Sequence, residues 1–130
     1  MTITIQMDSK DNFLKMNKNN CAIAFNDKEY PCPISMAMDV IGGRWKGVIL
    51  YYLMEGEKRF SELRKDMPSV TEMTLSLQLK KLESDGLIHR VVKGEKPPLK
   101  VTYSLTPLGQ SLSPILQSLG TWSLEVADKL

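Results

Sequence analysis

The stretch "MPSVTEMTLSLQLKKLESDGLIHRVVKGEKPPLKVTYSLT", residues 67–106, changes its hydrophobic period halfway along. In its first half Leu75, Leu79 and Leu82 recur at three- and four-residue spacing, the pattern of a helix that buries one face. Ser69 fits a capping box with Glu72, but a start at Thr71 keeps the three leucines on a single inward stripe and ends the helix at Gly86. At about 100° per residue, Met73, Leu77, Lys80 and Ser84 then fall on the opposite face, flanked by Thr74, Ser76 and Lys81. A solvated face is normally coated with Glu and Lys; this one carries two apolar groups. In the second half, "LIHRVVKG" and "KVTYSLT" are rich in Val, Ile, Thr and Tyr and read as antiparallel strands. The loop between them, "EKPPLK", is kept extended by its prolines.

Upstream, "CPISMAMDVIGGRWKGVILYYLMEG" holds two helices. The first covers about 33–41, opening on Pro33 and stopped by Gly42 and Gly43. The second covers about 44–54 and presents Trp45, Val48, Ile49, Tyr52 and Leu53 as a core stripe. "KRFSELRKDM" adds a short helix with Phe60, Leu63 and Met67 on one side. Ahead of these, "CAIAF" alternates as a short strand does, and residues 1–20 are polar and aperiodic, an extension expected to be weakly ordered. Downstream, Thr106 and Pro107 form a cap and first turn. From there apolar residues fall at 108, 112, 115, 119, 122, 126 and 130, almost a heptad seam about 35 Å long, with Pro114 expected to bend or split it and Ser113 able to cap the second part.

The chain's 130 residues suit one domain, and its 42% apolar and 25% charged content is that of an ordinary soluble protein. Apolar runs stay below the roughly 18 residues a bilayer span needs, and Asp8, Lys10 and Asp11 interrupt any signal-peptide core. A cytoplasmic protein is expected. Cys21, Cys32 and the lone His89 are too few for a structural zinc site or a disulfide framework. No metal and no cofactor are expected. Residues 44–100 hold twelve Lys or Arg against eight Asp or Glu, whereas the remainder holds five against seven. The basic middle hints at a polyanionic partner.

Two short helices joined by a tight turn and followed at once by a β-ribbon define the winged helix-turn-helix order, in which the second helix enters the DNA major groove and the ribbon loop, here 93–100, lies along the backbone or in the minor groove. The expected fold is therefore mainly α with a small β-wing (α+β), the wing at about 87–106 and terminal helices at about 107–130. The motifs "CPISMAMDVIGGRWKGVIL", "KRFSELRKDMP", "LKKLESDGLIHR" and "PPLKVTYSLTPLGQSL" make the segment from Cys32 to Trp122 resemble the HxlR-type family of bacterial winged-helix regulators. That resemblance implies a homodimeric, DNA-binding transcriptional regulator whose terminal helices form the dimer contact. Family members commonly carry polar or basic groups where this chain has Met73 and Leu77, which leaves the operator sequence open. Repression is the expected sense of regulation, since a 130-residue chain leaves little room for a separate activation domain.

The groove-contacting candidates are Thr71, Glu72, Met73, Thr74, Ser76, Leu77 and Lys80. Ser61, Lys93, Lys96 and Lys100 are candidates for phosphate contacts, which fix register without reading sequence. Arg44 and Lys46, at a helix N-terminus, are further phosphate candidates. Leu108, Leu112, Ile115, Leu119, Trp122 and Val126 would form the dimer seam, and a two-fold dimer calls for a roughly palindromic double-stranded operator. Cys32, just ahead of a helix N-terminus where backbone amides favour a thiolate, is the candidate redox sensor. The resemblance also implies an electrophile or oxidant effector acting at this cysteine, with Cys21 weighed as a resolving partner. No spacing sets a base beside a nucleophile, so no catalytic residue and no enzymatic activity are expected. The competing reading is a winged-helix module that contacts proteins and has lost DNA binding.

Overall fold

Ile49, Leu50, Leu53, Leu63, Leu75, Leu79 and Leu82 are almost wholly withdrawn from solvent and meet in one apolar core. Around it the computed structural model describes residues 22–127. The extension expected over residues 1–20, Cys21 and the seam's last position, Leu130, lie outside the described residues. The chain runs β1 (Ile23–Phe25), β2 (Lys28–Tyr30), α1 (Pro33–Ile41), α2 (Lys46–Leu53), β3 (Lys58–Arg59), α3 (Phe60–Asp66), α4 (Glu72–Ser84), β4 (Ile88–Lys93), β5 (Lys100–Leu105), α5 (Pro107–Gln110) and α6 (Ser113–Val126).

Cap chemistry sets the helix ends. The Thr71 side chain accepts the amide of Thr74 at 3.1 Å and opens α4, while Gly86, with φ of 81°, turns the chain out of it. The Cys32 side chain caps α1, its Sγ accepting from the Ser35 amide at 3.4 Å. Thr106 works in two directions: Oγ1 accepts the Gly109 amide at 3.0 Å and donates to the Gly86 carbonyl at 2.7 Å. One threonine thereby ties the end of α4 to the start of α5.

The structure corrects several expectations. The segment read as a single strand at 21–25 is one arm of a hairpin, because Asn26 and Asp27 take left-handed φ values of 50° and 63° and fold β2 back onto β1. Lys58 and Arg59 form a strand too short to show a period, pairing with Tyr103 and Thr102 to give a sheet of order β3-β5-β4. In α2 the buried residues are Ile49, Leu50 and Leu53, whereas Val48 is exposed. The C-terminal stretch is split into α5 and α6 beside Pro114, as expected, but Leu112, not Ser113, stands at the second cap. Leu108 and Leu112, assigned above to the dimer seam, are half-buried against the protomer's own core, and Leu116 is buried there as well. The break between α5 and α6 explains the change: one continuous helix would present 108 and 112 in line with 115 and 119.

The pair α3 and α4, joined by a tight turn and followed by the β4–β5 ribbon, is a winged helix-turn-helix. Among the described residues no helix is long and apolar enough to cross a membrane.

Candidate nucleic-acid interface

Helix α4 is two-faced. Leu75, Leu79 and Leu82 are fixed in the core, and this orients the other side outward without freedom to roll. On that side Met73 is 82% exposed and Leu77 51% exposed, with Glu72, Ser76 and Lys80 also open to solvent. Glu72, Met73, Ser76, Leu77 and Lys80 line one shallow hollow of about 480 Å³, whose remaining wall is Phe60 at the start of α3. The sequence places Phe60 only on the apolar side of a short helix. Its half-buried ring serves both the core and the hollow, and spacing alone does not reveal such double use. Thr71 is exposed and Thr74 half-buried at the start of α4, and their hydroxyls bond to each other at 2.9 Å. Ser61 is exposed on the first turn of α3.

The ribbon pairs Lys93 directly with Lys100 across its outer end, and Lys96 lies in the connecting loop. Like charges placed opposite each other destabilise a ladder unless an anion lies between them. Lys93 has partial relief from Glu57, 3.1 Å away. Lys80, Lys96 and Lys100 have no acidic partner among the described residues. Lys58 is different: Asp66, at 2.5 Å, holds its ammonium above the usual lysine range, so it serves the fold rather than the surface.

Arg44 and Lys46 are placed elsewhere. The Arg44 guanidinium stacks 5.0 Å from the centre of the Trp45 ring, and Lys46 donates to the Asp39 carbonyl. Arg44 also borders a cleft of about 670 Å³ between α2 and α6, lined by Ile41, Gly47, Val48, Leu116 and Gly120 among others. Helix α6 exposes Ile115, Leu119, Trp122 and Val126, and also Leu124, which the seam had not included; of these Leu119 and Leu124 line the cleft. Trp122 is 63% and Leu124 73% exposed, a large apolar area for one amphipathic helix to leave in water.

Near Cys32, the Tyr30 hydroxyl donates to Asp39 at 2.6 Å and Lys28 reaches the same carboxylate at 3.3 Å. The bond to Asp39 pushes the Tyr30 phenol up to about 12. The same bond, with Lys28, holds Asp39 below the usual carboxylate range. At the hairpin's turn the Asn26 side chain donates to the Asp85 carbonyl at 3.2 Å, so β1–β2 touches the end of α4. Cys32 itself is half-buried and free. Among the described residues no cluster of His, Cys, Asp and Glu could hold a metal ion.

Comparison with known proteins places this geometry. A family model described as HxlR-like helix-turn-helix matches residues 40–129. The uncharacterized HTH-type transcriptional regulator YdeP of Bacillus subtilis is 41% identical over 116 residues, covering 88% of this chain and 90% of YdeP. YybR of the same organism, also an uncharacterized HTH-type transcriptional regulator, is 46% identical over 99 residues, 76% of this chain and 78% of its own. Among solved structures, the redox regulator HypR in its oxidized form superposes with a TM-score of 0.71 at 45% identity, covering 75% of this chain and all of HypR's. The reduced form of the transcriptional regulator YodB from B. subtilis superposes with a TM-score of 0.65 at 35% identity, over 75% of this chain and 95% of YodB's.

Proposed function

The chain belongs to the HxlR-like helix-turn-helix family and is a DNA-binding transcriptional regulator; from that premise we propose that it acts as a homodimeric repressor, with α4 in the major groove and the ribbon tip on the phosphate backbone. Residues 21–130 work as one domain in this reading. The observation that carries it is the outer face of α4: a rigidly oriented helix side with exposed Met73 and Leu77 beside Lys80, which has no acidic partner among the described residues, next to a ribbon whose end sets Lys93 against Lys100. Contact with a polyanion relieves that opposition and covers the apolar groups. Glu72, Met73, Ser76 and Leu77 meet the base edges, Lys80 meets a phosphate at the edge of the groove, and Lys96 and Lys100 meet phosphates from the ribbon.

The exposed row Ile115, Leu119, Trp122 and Val126 supports pairing of two chains through α6, and the cleft between α2 and α6, which Leu124 lines on the other side of that helix, is open to side chains of the second copy. A two-fold pair sets its recognition helices about 34 Å apart, one turn of duplex, and so selects a roughly palindromic site.

Cys32 supports a redox-responsive reading. Its sulfur is the cap of α1, so an oxidant or electrophile that modifies it crowds the Ser35 amide and loosens the first turn of α1. HypR, a redox regulator, is the similar protein that motivates the same test here.

Titration of the full chain against a labelled duplex from its own upstream region tests the DNA reading. Log affinity is expected to fall linearly with log salt, at a slope of about −0.9 per phosphate neutralised. Affinity that ignores both salt and sequence overturns it.

A further inference from the structure

We propose that α4 reads thymine, through the 5-methyl group, by means of Met73 and Leu77 seated against Phe60. This rests on the DNA-binding reading above and adds the chemical class of base recognised.

The hollow that holds these residues has an apolar floor and a polar rim. Met73, Leu77 and Phe60 supply the floor; Glu72, Ser76 and Lys80 supply the rim. Leaving 82% of Met73 and 51% of Leu77 in water forgoes burial that a neighbouring element could have provided. The occupant must therefore be apolar at its centre and tolerate charge around it. Lys80, on the rim and without an acidic partner among the described residues, favours an anionic occupant over an ordinary protein surface. A DNA major groove meets both demands. Phosphates line its edges, and its floor offers one apolar group, the thymine methyl.

The spacing narrows this further. Met73 and Leu77 are four residues apart in α4, roughly 6 Å along the helix axis at 1.5 Å per residue. Base pairs rise about 3.4 Å, so the two side chains span about two base-pair steps. Two thymines at neighbouring or next-neighbouring positions, on either strand, are the expected core of each half-site. The three rotatable bonds of Met73 let it follow a methyl on either strand, whereas Leu77 is stiffer and sets the position.

The experiment starts from duplexes selected by the full-length protein out of a random library. In the tightest binder each thymine is replaced singly by deoxyuridine, which removes the methyl and leaves every hydrogen-bonding group in place. At one or two positions per half-site the wild type is expected to lose roughly fourfold in affinity per methyl. Met73→Ala or Leu77→Ala should abolish that loss at its own position. Both side chains are exposed, so both variants should keep the wild-type circular dichroism. Deoxyuridine tolerated at every thymine overturns the proposal, as does a loss undiminished in both variants. Binding that depends on salt but selects no sequence also overturns it and leaves general DNA binding standing. Failure to bind any duplex removes the DNA-binding reading itself, and this inference with it.

Discussion

The carbonyl of Leu87 lies directly against Gly109, closing the space where a side chain would begin; the Leu105 methyl stands 3.2 Å from the same point. Leu87 leads out of α4 into the wing, and Gly109 belongs to α5, so the recognition unit and the terminal helices meet at a glycine. Alanine normally gains up to about 1 kcal/mol over glycine inside a helix. Here Gly109→Ala is expected to destabilise by about 1–3 kcal/mol, because backbone has to move to admit the methyl. Urea unfolding of the two proteins checks the sign, which a purely local helix effect would reverse.

Lys80→Ala and Lys96→Ala are each expected to weaken operator binding and to reduce the salt slope by about one. Lys93→Ala should do less, since Glu57 already holds that ammonium at 3.1 Å. Titrations at several salt concentrations separate the three, and equal slopes throughout would remove Lys80 and Lys96 from the interface.

Trp122 and Leu119 are exposed on α6, and Leu119 also borders the α2–α6 cleft. Trp122→Ala is expected to weaken self-association by about 2 kcal/mol or more, the loss typical of a buried aromatic anchor. Sedimentation equilibrium reads the shift toward monomer. An unchanged association constant would place the dimer contact elsewhere.

Diamide is expected to lower the operator affinity of the wild type, with a coupling roughly in the 5- to 150-fold range. Cys32→Ser keeps a cap for the Ser35 amide and therefore the fold, and its DNA affinity should ignore diamide. An effect of equal size in the serine variant would assign the response to another group.

Tyr30 and Asp39 give a dependence on pH. The folded state holds the Tyr30 proton more tightly than the unfolded chain, with the phenol raised from 10.0 to about 12. That stabilisation is fully present below pH 10 and is lost as pH rises through about 12. For Asp39, lowered by the same bond, stabilisation is present above the ordinary carboxylate range and is lost as pH falls through the lowered folded value. Tyr30→Phe should converge with the wild type in unfolding free energy across the alkaline window. A difference that stays constant there would mean that the bond to Asp39 contributes nothing.

The recognition helix was legible because its information is local. The Leu75, Leu79 and Leu82 stripe, the Thr71 cap and the Gly86 stop lie within sixteen residues, and short-range sterics and hydrogen bonds decide each of them. The ribbon was legible for the same reason, its β-branched and aromatic residues marking two strands that pair Ile88 through Lys93 with Leu105 through Lys100. The β1–β2 hairpin was read only in part, since its turn depends on left-handed conformations at Asn26 and Asp27 that the residue types merely permit. The hollow combines side chains from two helices, so Phe60 could join Met73 and Leu77 only once α3 had been packed against α4.

By itself the sequence determined the helices and the two strands of the ribbon, where α4 begins and ends, and that one of its faces is left uncoated. Periodicity and caps are properties of neighbours along the chain. Only the tertiary structure decided how the apolar seam is shared, giving Leu108, Leu112 and Leu116 to the protomer's own core and leaving Leu119, Trp122 and Leu124 outside. The physical reason is that burial depends on what packs opposite a side chain. Pro114 marks a break in the sequence, but how far the break between α5 and α6 rotates the stripe is set by packing, which a heptad count along a single chain does not register.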